Sequence, residues 1–122
     1  MPATKKILVV DDEDDVRLFL QDFLSERDLV VDTAASGEEA LEKVALKKPD
    51  IVLLDIMMPG IDGLQCLEEI RKKHPEILVI MITELKDYIR IAKAKKMGAL
   101  NDIVKPFSLN YLEAELGKLL KD

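Results

Sequence analysis

Four short apolar stretches in this chain each break off at a polar residue, and longer amphipathic stretches lie between them. Residues 7–10 run into Asp11 and Asp12, residues 51–54 into Asp55, residues 78–82 into Thr83, and Ile103-Val104 into Lys105. Apolar runs of this length without alternation suit strands buried on both faces of a parallel sheet. Between the first two runs, Val16, Phe19, Leu20, Phe23 and Leu24 recur at spacings of three and four, which predicts a helix over about residues 14–26. A second strand is predicted at 29–33 around Val30 and Val31. Ser36-Gly37-Glu38-Glu39 has the form of a capping box and opens a helix carrying Ala40, Leu41, Val44 and Ala45, which Pro49 ends.

After the third strand, the loop 55–63 contains Pro59, Gly60 and Gly63, and the next helix carries Leu64, Leu67 and Ile70 until Pro75. The fourth strand, 77–82, has no polar residue inside it and belongs in the interior of the sheet. A helix over about 86–97 ends at Gly98, a candidate left-handed cap. A short fifth strand, 101–104, leads to Lys105-Pro106, and Ser108 can cap a last helix with Leu109, Leu112, Leu116, Leu119 and Leu120. Five strands alternating with five helices define an α/β fold, a doubly wound five-stranded parallel sheet of (βα)5 form. At 122 residues the expectation is a single domain over 1–122, with no linker or repeat and no output domain after the last helix.

Composition narrows the class. The chain is 48% hydrophobic and 34% charged, a globular balance, and its lone Cys66 permits no internal disulfide. No apolar run approaches the ~20 residues that cross a bilayer, and residues 1–6 do not open a signal peptide. A cytoplasmic protein without membrane contact is expected. The net charge of −6 is uneven, −7 over residues 1–61 and +1 over 62–122. An acidic chain without a basic stripe argues against direct nucleic-acid binding. Arg90, Lys93, Lys95 and Lys96 form a local basic cluster, either a solvated helix face or a docking face for a partner.

The polar residues at the strand tips carry the chemistry. In doubly wound sheets ligands bind beyond the carboxyl ends of the strands, so one crevice is expected to collect Asp11, Asp12, Asp55, Thr83 and Lys105. Carboxylates gathered at low dielectric repel and need a cation or protons. Oxygen-only ligands suit Mg²⁺, or Mn²⁺, better than Zn²⁺. The neighbouring Glu13, Asp14 and Asp15 are assigned the simpler role of complementing a helix dipole. Lys105 is either a salt-bridge partner or a cation awaiting a phosphoryl group, and Thr83 offers a hydroxyl. A metal, a cation and a hydroxyl around an in-line carboxylate meet the needs of phosphoryl transfer, and Asp55, alone at its strand tip before a glycine-bearing loop, is the best nucleophile. Cys66 and Met58 read as packing residues, and His74 as a surface residue at a helix end.

Together, Val9-Val10-Asp11-Asp12, the run from Leu54-Asp55 to Asp62-Gly63, Ile82-Thr83 and Val104-Lys105-Pro106-Phe107 resemble the receiver domain of two-component response regulators, over about residues 5–120. The resemblance implies the flavodoxin-like strand order 2-1-3-4-5. It implies that Asp55 accepts a phosphoryl group from a phosphohistidine on a sensor histidine kinase or a histidine phosphotransfer protein. It further implies that Asp11, Asp12, Asp55 and the Met57 carbonyl hold Mg²⁺, and that Lys105 contacts a phosphoryl oxygen before a cis bond to Pro106. Thr83 is then expected to signal to a downstream protein through the face of the fourth helix, fifth strand and fifth helix. Small phosphodonors are expected to serve as well.

Two positions depart from the family pattern. Asp102 stands where an aromatic residue is usual, and Glu84 where a small residue is usual. The expectation is that signalling runs through Thr83 and charges around Glu84 and Asp102, with Asp102 pairing with Lys93, Lys95 or Lys96 and Glu84 at the pocket mouth. Apolar Met57 and Leu85, two residues beyond Asp55 and Thr83, imply a slowly hydrolysing acyl phosphate. The alternatives are a pseudo-receiver that signals without phosphorylation and a hydrolase with an aspartate nucleophile. For the hydrolase, the nucleophile follows the wrong strand and no cap domain fits. A flavin site is opposed by the acids that follow the first strand.

Overall fold

The computed structural model describes residues 5–84, 88–105 and 107–120. The elements alternate as β1 (Lys6–Val10), α1 (Asp14–Ser25), β2 (Val30–Ala34), α2 (Gly37–Lys47), β3 (Ile51–Asp55), α3 (Gly63–Lys73), β4 (Leu78–Glu84), α4 (Tyr88–Lys96), β5 (Asn101–Lys105) and α5 (Leu109–Leu120). The strands form one parallel sheet in the order β2-β1-β3-β4-β5. This is the doubly wound (βα)5 architecture and strand order expected from the sequence.

Because strand side chains alternate faces, each apolar run feeds two cores. Leu8, Val10, Val52, Leu54, Val79 and Met81 pack under α2, α3 and α4 with Ala40, Val44, Cys66, Leu67, Ile70 and Ala94. Ile7, Val9, Ile51, Leu53, Ile80, Ile82 and Ile103 pack on the other face against Leu20, Phe23 and Leu24 of α1 and Leu112 and Leu116 of α5. Each such side chain contributes roughly 1.5–3 kcal/mol by leaving water. Burial on both faces fixes the register, since a slip of one residue would exchange the two sets.

Strand ends differ from expectation in ways that bear on the site. β2 runs one residue later, to Ala34, because the Asp11 N–H donates to the Ala34 carbonyl at 3.1 Å and prolongs the ladder. Upstream, Asp28 takes a left-handed turn at φ 57. β4 and β5 extend to Glu84 and Lys105, which are register partners. Thr83 and Lys105 are therefore strand residues, held by the ladder.

The helix caps also sort out differently. Ser36 Oγ accepts from Glu39 N at 3.1 Å, but the Glu39 carboxylate accepts from Ala35 N at 2.8 Å, so the reciprocal half of the box is displaced by one residue. The complete capping box lies at α3, between Asp62 and Gln65. Left-handed Lys48, at φ 47, closes α2 just before Pro49. Gly98, at φ 102, follows the end of α4 as expected, and Ser108 Oγ accepts from Tyr111 N at 3.1 Å at the start of α5. The expected start of the fourth helix at 86, Leu85 and the bond to Pro106 lie outside the described residues.

The turn after β3 depends on Gly63. A Cβ there would fall 2.1 Å from the Asp55 carbonyl oxygen and 2.6 Å from Ile56 Cα, both backbone atoms. The Gly63 N–H donates to the Ile56 carbonyl at 2.9 Å, so the loop returns directly over the end of β3. Gly63→Ala is expected to lower the unfolding free energy by about 3 kcal/mol, read from the urea midpoint at unchanged slope.

Candidate functional site

The carboxyl ends of β1, β3, β4 and β5 converge on one cavity of about 190 Å³, lined by Asp12, Glu13, Asp55, Met57, Thr83, Glu84 and Lys105. Asp11 is fully buried beneath it, and Asp11, Asp12 and Asp55 each bring a carboxylate oxygen within 4.8 Å of the others. All the residues singled out from the sequence for this crevice are therefore brought together. Asp12 is exposed at the rim, while Asp55 and Thr83 are buried.

Lys105 reaches from the end of β5 into this group. Its Nζ stands 2.9 Å from Glu13 Oε1, 3.1 Å from Asp11 Oδ2 and 3.6 Å from Asp55 Oδ2. The approach to Asp11 Oδ2 lies off the hydrogen-bonding direction, leaving that buried oxygen without a hydrogen bond among the described residues. Asp11 Oδ1 accepts the Glu13 N–H at 2.9 Å, and Arg17 donates to the Asp11 carbonyl. Asp55 Oδ1 accepts the Met57 N–H at 3.3 Å. The Thr83 hydroxyl donates to the Glu84 carbonyl at 3.2 Å.

Charge and burial set the protonation of Asp55. Burial, reinforced by the Asp11 charge and only partly offset by Lys105 and the Met57 N–H, pushes its carboxyl from 3.8 up to about 7. Lys105 is desolvated, yet Glu13, Asp55 and Asp11 outweigh that and hold its ammonium above the usual lysine range. A buried oxygen lacking a hydrogen bond, beside two further carboxylates, is a donor set that fits a hard divalent cation.

Glu13 was missed as a pocket residue. The sequence assigned it with Asp14 and Asp15 to the helix dipole, and it is instead the nearest carboxylate to Lys105. No local signal marks this, because the contact spans 92 positions in sequence. Glu84 lines the mouth as expected, and Asp102 lies 3.8 Å from Lys95, one of its three expected partners. Cys66 is fully buried, and burial pushes its thiol up to about 12, consistent with packing. Met58 packs in the core, as expected. His74 caps the end of α3 but is half-buried, with Nδ1 3.9 Å from Glu76.

A doubly wound sheet with an acidic, lysine-bearing pocket at its switch point defines a class built to handle a cation and a phosphoryl group. Residues 7–117 match the response regulator receiver domain family, and the chain belongs to it. It is 45% identical over 117 residues to the probable transcriptional regulator ycf27 of Cyanophora paradoxa, covering 96% of this chain and 48% of that protein. It is 34% identical over 116 residues to sporulation initiation phosphotransferase F of Bacillus subtilis, covering 95% and 94% respectively. The receiver domain of NtrX from Brucella abortus superposes with a TM-score of 0.87 at 37% identity, covering 94% of this chain and 98% of that one. The chain spans about half the length of the ycf27 regulators it matches. It is thus a signalling phosphoacceptor-type domain and not a classical enzyme, and its family implies a histidine kinase partner. Among the described residues no helix is long and apolar enough to cross a membrane.

The raised Asp55 carboxyl has a measurable consequence. Between its unfolded value near 3.8 and its folded value of about 7, the native state binds the extra proton. Stability therefore falls as pH rises through that window. In chelator, wild-type protein is expected to lose stability from pH about 4 to about 7, whereas Asp55→Asn gives a flatter profile and a higher melting temperature at pH 7. Millimolar Mg²⁺ at pH 7 is expected to raise the wild-type melting temperature far more than that of the variant.

Proposed function

We propose that Asp55 is the phosphoacceptor, taking its phosphoryl group from a phosphohistidine on a sensor histidine kinase or histidine phosphotransfer protein. An Asp55 carboxylate oxygen attacks phosphorus, the N–P bond breaks, and the departing imidazole takes a proton from solvent. The observation that carries this reading is the approach of Lys105 Nζ to within 3.6 Å of a buried Asp55 carboxylate at the open end of the sheet. Asp11, Asp12 and Asp55, with the Met57 carbonyl, would hold the divalent ion, which we assign as Mg²⁺ with Mn²⁺ as a substitute. When bound, that ion supplies charge neutralisation at the phosphoryl oxygens.

The protein's own groups do the rest. Lys105 stabilises a second phosphoryl oxygen through a charge-assisted hydrogen bond. Thr83 exchanges the Glu84 carbonyl for a phosphoryl oxygen, which moves a side chain on the α4 side of the sheet. The downstream partner then reads the face formed by α4, β5 and α5, with the pair between Lys95 of α4 and Asp102 of β5 in place of an aromatic relay.

Incubation with acetyl phosphate and Mg²⁺ is expected to add one phosphate to the intact mass of wild-type protein and none to Asp55→Asn. An unmodified wild type would favour a pseudo-receiver, and steady phosphate release from unrelated monoesters a hydrolase. Met57, exposed at the pocket wall, bears on the lifetime of the adduct. Replacing it with Asn, whose amide can orient water, is expected to speed dephosphorylation by about tenfold, measured as loss of label after donor removal.

A further inference from the structure

Glu13 occupies the N-cap position of α1, with φ −91 and ψ 121, yet its side chain makes no capping hydrogen bond. Its backbone is held at both ends. Asp11 Oδ1 accepts its N–H, and its carbonyl accepts the Arg17 N–H at 3.2 Å to open the helix. The carboxylate is left to project toward β5, where Oε1 meets Lys105 Nζ at 2.9 Å.

The two side chains differ sharply in exposure, 61% for Glu13 and 16% for Lys105. Together they line both the acidic cavity and a second cavity of about 330 Å³ bounded by Val16, Phe19 and Phe107. The ion pair is the wall between the two.

We propose that Glu13 is a positioning residue that holds the Lys105 ammonium in reserve at the rim, in competition with the phosphoryl group arriving on Asp55. The proposal rests on the phosphoacceptor reading of Asp55. An ammonium has three donors, and three carboxylates face it here. When a phosphoryl group replaces the single charge of Asp55 with roughly −2, it draws the ammonium away from the other two carboxylates. Asp11 is the costly one to abandon, because among the described residues its buried oxygen has no hydrogen-bond donor to replace the Lys105 charge at 3.1 Å. Glu13 is the cheap one, since water rehydrates its exposed carboxylate. Its charge therefore opposes arrival of the phosphoryl group and favours its departure.

The test is a titration of beryllofluoride with Mg²⁺, a phosphoryl analogue that coordinates a carboxylate oxygen, into wild type, Glu13→Gln and Glu13→Asp. The position of the Lys105 ammonium signal in nitrogen-detected NMR is followed in parallel. Glu13→Gln is expected to bind the analogue about threefold more tightly and to displace the analogue-free Lys105 signal toward its bound position. Glu13→Asp, which keeps the charge on a shorter arm, is expected to fall between them. All three proteins should melt alike. Equal affinities with an unmoved Lys105 signal would overturn the role of Glu13 while leaving Asp55 as the acceptor. Wild-type protein that takes up no analogue would overturn both readings.

Discussion

The structure turns on the convergence of three carboxylates, with a fourth beside them, upon a single ammonium at the carboxyl edge of the sheet. Asp11, Asp12 and Glu13 come from the turn after β1 and Asp55 from the end of β3, while Lys105 comes from β5, with β4 between. Such a cluster opposes folding by itself, since like charges at low dielectric repel and burial removes their hydration. Asp55 registers the conflict in its raised carboxyl pKa. The cluster persists because the strands bearing it are fixed by apolar residues that have no part in the chemistry. Val10, Leu54, Met81 and Ile103, each at most 1% exposed, lie within two residues of the polar tips. Register is set in the core, and the tips inherit it.

This arrangement explains why the pocket is sensitive to charge. Lys105 is shared among partners of unequal exposure, so adding a divalent cation or a phosphoryl group changes which of them it serves. The buried oxygen of Asp11 is the constant member, and Glu13 and Asp55 are the adjustable ones. The close return of the loop at Gly63 keeps the Asp55 backbone in place while this exchange proceeds.

The order of elements and the identity of the strand-tip residues were readable from sequence because both depend on local pattern. Apolar runs and three-four periodicity identify buried strands and helices whatever they pack against. What escaped was non-local. Glu13 looks like a dipole-complementing residue until Lys105 at the end of β5 reaches across to it. Ala34 joins β2 only because Asp11 donates to it across the ladder. Glu39 matches the capping box by spacing but bonds one residue earlier, whereas the Asp62-Gln65 box passed unnoticed inside a loop dominated by Pro59 and two glycines. The half-burial of His74 depends on packing at the end of α3 that no local pattern records.

The pocket also joins the two layers of the fold, and this follows from strand alternation alone. Thr83 shares its face of the sheet with Met81, in the core beneath α2, α3 and α4. Lys105 shares the opposite face with Ile103, in the core beneath α1 and α5. A group placed between Thr83 and Lys105 therefore pulls on both layers at once. On the α4 side, Val104 is the register partner of Thr83, and Asp102 lies two residues before it on the same face, 3.8 Å from Lys95. Where an aromatic ring would respond to a vacated volume, an ion pair would respond to charge. Its strength changes with ionic strength and with the field of the pocket, over distances a packing contact does not sense. Salt is thus a direct probe of which kind of coupling β5 uses, because screening weakens an ionic link and leaves a steric one in place.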